Sequence, residues 1–239
     1  ITEYGERVRA VLAAKFAQFD SMNVFECIDA MKLTREQKRK ALCAINTIKL
    51  KRCGKLKGRT VTDGRVQRDE YDKGETSLAV CHNDPMMLTL LIEAHEHRHV
   101  SVGDVPGAYL HAHMKDFIII KFTGPSVDIL CSTNEKYKKH VFMENGRRVL
   151  YLRLNKALYV CIMSALLWYE LFAGTLKNMG FEMNPYETCI ANKMINGKQC
   201  TITWYIDDIK VSHVDKMVVK QVRDKINGKF GGIDAKYGK

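Results

Sequence analysis

Two adjacent aspartates, Asp207 and Asp208, lie between two apolar, β-prone runs in the stretch TWYIDDIKVSH, residues 203–213. A hairpin turn explains such a pair, because Asp tolerates turn geometry and hydrogen-bonds its own backbone. A metal site is the alternative, because neighbouring carboxylates repel each other unless a divalent cation lies between them and a third acidic group. The dipeptide by itself favours the turn, so the choice depends on the rest of the chain.

A third acidic residue in a suitable setting is Asp104, which lies on a β-prone run in GDVPGAY and is followed five positions later by Tyr109. On neighbouring strands, Asp104 and the aspartate pair can hold two Mg²⁺ ions. Such ions activate an attacking hydroxyl, bridge a triphosphate and stabilise a leaving pyrophosphate. The three carboxylates therefore indicate polymerase chemistry.

A competing metal motif, H-E-x-x-H, occurs at residues 95–99. On a helix it would place His95 and His99 on one face for zinc, with the intervening Glu as the base of a hydrolase. We expect a helix to end here, however, and cationic side chains are favoured in a last helical turn in any case. The motif is therefore interpreted as a helix end. His111 and His113, two apart on the strand predicted to follow, are interpreted in the same way.

The positive charge of the chain is concentrated in one segment. The formal net charge is +11, and residues 35–68 hold twelve Lys or Arg but only two acidic residues. Thr34 and Gln37 predict a capping box for a helix over about 35–45, and the next stretch predicts a basic hairpin turning at Cys53-Gly54. A basic face attracts polyanions through counterion release, so nucleic acid is the expected partner. The alternative is a solvated surface that only keeps the protein soluble.

The composition also argues against several classes of protein. The N-terminus lacks the apolar core of a signal peptide, and the longest uncharged run, residues 157–169, is too short to cross a bilayer. The eight cysteines form no C-x-x-C pair, which argues against zinc-finger and redox motifs. We expect a soluble protein with reduced thiols.

Periodicity predicts an α+β fold with antiparallel hairpins. Helices are predicted over 6–19, from Asp84 as N-cap, from Ser164, and over 218–230. Strands are predicted over 100–111 with a bend at Pro106-Gly107, over 117–122, over 149–154, and on both sides of the aspartate pair. The segment between the strands at 117–122 and 149–154, rich in Lys and Asn, is predicted to be a loop.

Four motifs follow one another along the chain: KLKGRTVTDGRVQR, DVPGAYLHA, LNKALYVCIMSALLWY and YIDD. They resemble, in this order, the K-x-R-x-V-x-x-G, D-V-x-x-A-F/Y-L-H/N, L-x-K-A-L-Y-G-x-x-Q-x-x-x-x-W-Y and Y-x-D-D segments of the reverse transcriptases of Ty1/copia-type LTR retrotransposons. The resemblance runs from about residue 19 to residue 239 and is strongest to the copia-like elements of diatoms. It implies the fingers and palm of a right-hand polymerase, an antiparallel sheet packed on helices, with the thumb missing. It also favours the metal site over the plain turn.

The resemblance implies a catalytic role for three carboxylates. Asp104, Asp207 and Asp208 would bind two Mg²⁺ ions, with Mn²⁺ as a substitute, and the Val105 carbonyl would complete the coordination.

The resemblance also implies a nucleotide site. Tyr109 would lie beneath the incoming sugar and exclude a 2′-OH, so that deoxynucleoside triphosphates are favoured. Lys57 and Arg59 would contact the triphosphate, and Tyr205 would lie by the primer end.

Two positions depart from the family pattern. Val160 replaces a Gly that permits close backbone approach, and Met163 replaces a Gln that supplies polar contacts. We therefore expect an RNA-directed DNA polymerase domain from a polyprotein, in a decayed copy. The alternative is a non-catalytic remnant that binds nucleic acid.

The resemblance implies a domain division and an environment as well. The expected parts are a helical lead-in over 1–18, fingers over 19–80 and 118–163, and a palm over 81–117 and 164–239. The expected partners are an RNA or DNA template with its primer and the thumb, RNase H and integrase parts of the polyprotein, with no membrane. The expected location is the cytoplasm, in a virus-like particle, with a nuclear phase.

Overall fold

The computed structural model describes residues 5–64, 80–159 and 161–238, and the chain divides into two compact units. The first unit comprises residues 1–76 and 109–167, and the second comprises residues 77–108 and 168–239. Each unit has its own sheet accompanied by helices, so the predicted α+β class is confirmed. The names fingers and palm for particular ranges stay a prediction.

The described residues form six α-helices and twelve strands, several of which follow one another as hairpins. The helices are α1 (Gly5–Ser21), α2 (Arg35–Lys40), α3 (Asn83–His95), α4 (Pro125–Thr133), α5 (Ser164–Asn178) and α6 (Lys216–Phe230). The strands are β1 (Phe25–Cys27), β2 (Leu42–Leu50), β3 (Leu56–Thr62), β4 (His99–Asp104), β5 (Ile119–Thr123), β6 (Phe142–Glu144), β7 (Arg147–Leu154), β8 (Glu182–Met183), β9 (Ile190–Ile195), β10 (Lys198–Tyr205), β11 (Asp208–His213) and β12 (Lys236–Gly238). Short 3-10 helices span Ala30–Lys32, Ala108–His111 and Glu135–His140. Among the described residues, no helix combines the length and the hydropathy that a membrane crossing requires.

The first unit is built on a sheet of strand order β1-β7-β5-β2-β3, with β6 added on β7. Its core contains a chain of aromatic rings, Phe16, Phe19, Phe25 and Phe122, with neighbouring centroids 5.4–6.3 Å apart. Three of these four contacts are close to edge-to-face, the arrangement that aromatic quadrupoles favour. This packing ties α1 to the sheet and gives the basic hairpin a fixed base.

The predicted hairpin at Cys53-Gly54 is confirmed as β2 and β3, which pair from Leu50 opposite Leu56 to Ala44 opposite Thr62. Gly54 supplies the positive φ of +75° that the turn needs. On the inner face, a Cβ at Gly58 would lie 2.8 Å from a methyl carbon of Val11 in α1, so glycine allows close packing of helix and hairpin.

The second unit is built on an antiparallel sheet of order β12-β4-β11-β10-β9-β8. One face is covered by α5 and α6 through an aromatic cluster in which Phe172 lies 5.4 Å from Trp168, 5.2 Å from Trp204 and 5.9 Å from Phe230, measured between ring centroids. On the other face, Lys210 of β11 extends toward α3, where its Nζ lies 2.9 Å from the Glu93 carboxylate. These two layers hold β4, β10 and β11 in fixed register.

Several local predictions are confirmed. The capping box of Thr34 and Gln37 forms at the start of α2, and α5 begins at Ser164 as predicted. Helix α6 ends where Gly231 adopts a φ of +69° and donates its N–H to the Asn227 carbonyl. Burial raises the pKa of the Cys189 thiol to about 12.

Other predictions are wrong in their boundaries. The N-cap of α3 is His82, so Asp84 lies in the first turn, where its charge still suits the helix dipole. The strand predicted over 100–111 ends at Asp104, because Pro106 cannot donate to a ladder, and a 3-10 helix follows. The predicted loop between β5 and β7 contains α4, which begins at Pro125, a residue suited to a first helical turn.

Candidate active site

Asp104 and Asp208 lie directly opposite each other in the antiparallel pair of β4 and β11. Tyr205, the last residue of β10, pairs with Asp208 from the other side, so the three residues form one row across the sheet. Residues opposite each other in such a pair project from the same face with Cβ atoms roughly 4.5–5.5 Å apart. Both carboxylates are exposed. Two facing like charges destabilise a sheet, and a bound cation would relieve that repulsion.

Asp207 lies in the two-residue turn that joins β10 to β11, after Ile206. Ile206 has a φ of +56°, in the left-handed region, whereas Asp207 lies outside that region. This is the pattern of a type II′ hairpin, whose first turn residue is normally Gly. A β-branched residue there is strained by about 1–3 kcal/mol, and such strain persists only where the surroundings impose it.

Both carbonyl groups of this turn accept hydrogen bonds from other elements of the second unit. The backbone N–H of Val105 donates to the Asp207 carbonyl at 2.8 Å, which ties the turn to the end of β4. The indole Nε1–H of Trp168, on α5, donates to the Ile206 carbonyl at 2.7 Å. The strained turn is therefore fixed from two directions, and the row of Asp104 and Asp208 is fixed with it.

A buried cation, Arg223 of α6, lies close to this row. Arg223 is 1% exposed, and its three guanidinium nitrogens have no hydrogen-bond partner among the described residues. A Cβ on Gly103, the neighbour of Asp104, would clash with one of these nitrogens. Burial lowers the pKa of Arg223, whereas Tyr237 and the charge of Asp104 act in the opposite direction. The guanidinium thus contributes positive potential beneath the carboxylates.

The donor chemistry of the row suits magnesium, because hard divalent cations prefer carboxylate and carbonyl oxygens. The described residues nevertheless contain no group of three His, Cys, Asp or Glu side chains gathered as a bound metal requires. The structure brings Asp104 and Asp208 together and places Asp207 beside them in the turn. The Val105 carbonyl accepts the Ala108 N–H at 3.2 Å. Two of the predicted ligands therefore face each other, and the other two predicted ligands are their chain neighbours.

The predicted nucleotide-binding residues are divided between the units. Tyr205 is 45% exposed in the second unit, beside Asp208. Tyr109 belongs to the first unit, where its ring centroid lies 4.9 Å from that of Tyr159. Lys57 and Arg59 are exposed on β3 of the first unit. Their roles toward a nucleotide stay predictions.

The exposed face of the basic hairpin carries several cations in register. Lys57 lies opposite Lys49, and Arg59 lies opposite Thr47. Lys51, Arg52 and Lys55 are exposed around the turn. Arg65 and Arg68, at the end of the basic segment, lie outside the described residues.

Of the two departures from the family pattern, only Met163 belongs to the described residues. Val160 lies outside the described residues. Met163 is half-buried, and its carbonyl accepts the N–H of Leu167 at 3.0 Å at the start of α5. A side-chain substitution at 163 is therefore compatible with the backbone of this helix start.

The histidine motif does not form a zinc site on a helix. His95 is the last residue of α3, His97 has a φ of +53°, and His99 begins β4, so the helical spacing is broken. His111 ends a 3-10 helix rather than lying on a strand, and the ring of His113 lies 2.8 Å from Lys156 Nζ. The interpretation of the motif as a helix end is confirmed.

Sequence reasoning missed Trp168 and Arg223. Trp168 is part of the LWY segment that carries the family resemblance, but its indole acceptor depends on a long-range contact. Arg223 had a detectable signal, because it follows Val219 by four residues and precedes Ile226 by three on the buried face of α6. A cation at an apolar helical position is unusual enough to predict a buried charge.

Comparison with known proteins assigns the family. The model of the family "Reverse transcriptase (RNA-dependent DNA polymerase)" matches residues 23–235. The chain belongs to this family. Its relatives include two Saccharomyces cerevisiae proteins, the transposon Ty1-BL Gag-Pol polyprotein, 28% identical over 182 residues, and the Ty1-MR1 Gag-Pol polyprotein, 27% identical over 182 residues. Each match covers 75% of this chain and 9% of the relative, so the chain spans about a tenth of these polyproteins.

These relatives confirm the Ty1/copia type of the domain. A solved structure, that of a telomerase from Candida albicans with a fragment of telomeric RNA, is similar with a TM-score of 0.47 and 9% identity. That match covers 95% of this chain and 44% of the other. The similarity to diatom elements stays a prediction.

Proposed function

We propose that this domain carries out RNA-directed DNA synthesis by two-metal nucleotidyl transfer, with Asp104, Asp207 and Asp208 as the metal-binding carboxylates. The observation that supports this most directly is the register that places Asp104 opposite Asp208 at a rigid turn. Two Mg²⁺ ions held there would supply the activation of a primer 3′-hydroxyl and the neutralisation of the triphosphate. Facing carboxylates repel each other and destabilise a sheet when no cation is bound, so cation binding between them would be favourable.

The chain's own residues would perform the positioning. Tyr205, next to the carboxylates and half exposed, offers a ring for the primer end. Tyr109 would limit space at the sugar and favour deoxynucleotides. Lys57 and Arg59 would contact the triphosphate, and the rest of the basic hairpin would hold the template through its phosphates.

The test of this proposal is cation binding together with primer extension on an RNA template. Mn²⁺ titration should detect binding in the parent chain that Asp207→Asn abolishes. The matched control is Asp224→Asn, which removes an exposed carboxylate of α6 in the same unit. Extension is measured with both proteins fused to a thumb from a related element. Equal Mn²⁺ binding by the parent and Asp207→Asn, or equal and robust extension by their fusions, contradicts the proposed site.

The basic hairpin has a test of its own, because each phosphate neutralised by a cation adds to the salt dependence of binding. The triple variant Lys55→Ala/Lys57→Ala/Arg59→Ala should reduce the slope of log K against log salt by about one per lost phosphate contact. The control triple removes three exposed lysines of α6, Lys216, Lys220 and Lys225. A slope that the control lowers as much as the hairpin variant places the nucleic-acid face elsewhere.

The second candidate function is a non-catalytic remnant that binds nucleic acid. It is favoured by Met163, which replaces a polar family residue, and by the exposed basic hairpin, which does not depend on the carboxylates. Strong, salt-dependent template binding without any extension supports this candidate.

The polyprotein context is part of the proposal. The relatives are Gag-Pol polyproteins, so we propose that thumb, RNase H and integrase parts complete the active protein. We also propose a cytoplasmic location in a virus-like particle with a nuclear phase.

A further inference from the structure

The indole of Trp168 contacts the aspartate turn from helix α5. Trp168 is 1% exposed, and its Nε1–H donates to the carbonyl of Ile206 at 2.7 Å. That carbonyl belongs to the residue with the strained φ of +56°. A fully buried indole packs as a large apolar ring and needs an acceptor for its N–H, so this contact satisfies both groups.

The donor itself is held rigidly. The Trp168 ring stacks on Phe172 with centroids 5.4 Å apart and meets Phe230 edge-on at 5.2 Å. An aromatic ring packed on two sides keeps its rotamer, so the direction of the N–H is fixed relative to α5 and α6. The Ile206 carbonyl therefore accepts its hydrogen bond from a donor whose direction is fixed.

The orientation of this carbonyl determines the type of turn. A type II′ turn and a type I′ turn differ by rotation of the peptide between their two central residues, here Ile206 and Asp207. Rotation of that peptide would turn the Ile206 carbonyl away from the indole and give Asp207 a positive φ. The backbone at Asp207 would then direct its carboxylate elsewhere.

We propose that Trp168 is a positioning residue, which holds the peptide between Ile206 and Asp207 in the type II′ orientation and so directs the Asp207 and Asp208 carboxylates. The catalytic value of this contact rests on the proposed function, whereas its structural effect does not. The second hydrogen bond of the turn, from Val105 N–H to the Asp207 carbonyl, provides an independent reporter.

The experiment compares amide hydrogen exchange in Trp168→Phe and Trp204→Phe. Both variants replace an indole by a phenyl ring in the same aromatic cluster, and these are the two tryptophans of the chain. Trp204 immediately precedes Tyr205 in β10, so it is a stringent control for lost packing near the turn. The indole that bonds the Ile206 carbonyl is absent only from Trp168→Phe.

The measured quantity is the exchange rate of the Val105 amide divided by that of the Val211 amide, which lies within the same sheet. Loss of packing alone accelerates both amides and leaves the ratio unchanged. Loss of the turn's anchor should raise the ratio in Trp168→Phe by about 2- to 12-fold, the factor for one ordinary hydrogen bond, and leave it unchanged in Trp204→Phe. An unchanged ratio in Trp168→Phe, or the same increase in both variants, overturns the proposal.

A second variant covers the case in which Trp168→Phe does not fold. Benzothienylalanine at position 168 keeps the bicyclic shape and removes only the N–H donor, so it should raise the ratio while the unfolding midpoint stays close to that of the parent. Primer extension by the same proteins, each fused to a thumb from a related element, separates this inference from the proposed function. An inactive parent whose exchange ratio still responds at position 168 contradicts the enzyme proposal and supports the positioning role. An active parent with no response at 168 contradicts the positioning role alone.

Discussion

Replacing Arg223 by methionine should make the second unit more stable, although it removes a large side chain from the core. The guanidinium is 1% exposed, and none of its three nitrogens has a hydrogen-bond partner among the described residues. A buried charge without good partners costs several kcal/mol. Replacing whole buried ion pairs by apolar residues of similar volume is neutral or gains about 1–4 kcal/mol, and we expect a gain within that range here. Methionine is flexible enough to fill the same space.

Gly103 provides the second mutation of a double-mutant cycle. A Cβ there would clash with a guanidinium nitrogen of Arg223 and would lie 2.8 Å from the Asp234 carbonyl oxygen. Gly103→Ala should therefore cost about 1–3 kcal/mol in the parent chain, as overpacking does. With methionine at 223 the closest contact is removed, so the cost should fall and the two mutations should couple by about 1–2 kcal/mol.

Urea unfolding followed by tryptophan fluorescence measures these changes, because both tryptophans, Trp168 and Trp204, lie in the second unit. The control is Lys225→Met, which removes the same charge from an exposed position of α6 and should change stability by less than about 0.5 kcal/mol. A loss of stability in Arg223→Met would refute the reasoning, because it would mean that the buried guanidinium has a stabilising partner in solution. Strict additivity with Gly103→Ala would refute the assigned close contact.

Two further predictions concern the stability of the fold in acid and the rate of primer extension. Burial by itself raises the pKa of Glu187, but hydrogen bonds from the backbone and ring of His82 outweigh burial and lower the pKa below its ordinary 4.5. The stabilisation of the fold by ionised Glu187 is therefore complete above pH 4.5 and is lost as the pH falls through the lower folded pKa. Glu187→Gln should cost about 1–3 kcal/mol near neutral pH and should flatten the decline of the unfolding free energy in acid. An unchanged acid profile contradicts the role assigned to Glu187. Val160→Gly/Met163→Gln, fused to a thumb from a related element, should extend an RNA-templated primer roughly 5- to 150-fold faster than the parent fusion, if the restored polar contacts act in the transition state. Equal and robust extension by both fusions means that the copy is not decayed at these positions.

The sequence by itself determined the elements whose signals are local. The apolar, β-prone runs on either side of Asp207 and Asp208 predicted the hairpin of β10 and β11, and the Thr34 capping box predicted the start of α2. The order of four motifs predicted the family, and the family model confirms it. Each of these signals depends on neighbouring residues or on short spacings, where propensity, capping and turn chemistry act directly.

Only the tertiary structure decided the geometry of the candidate site. Two of its features join segments far apart in the chain: the register of Asp104 with Asp208 and the hydrogen bond from the Trp168 indole. A third, the left-handed φ of Ile206, occurs in the turn that these contacts hold. Local preference opposes two of these features, because isoleucine avoids positive φ and a sheet avoids facing like charges. The burial of Arg223 likewise goes against its hydration. Such features persist because helices pack on both faces of the sheet, α5 and α6 on one face and α3 on the other. The free energy of this packing exceeds the local cost at any one of these residues.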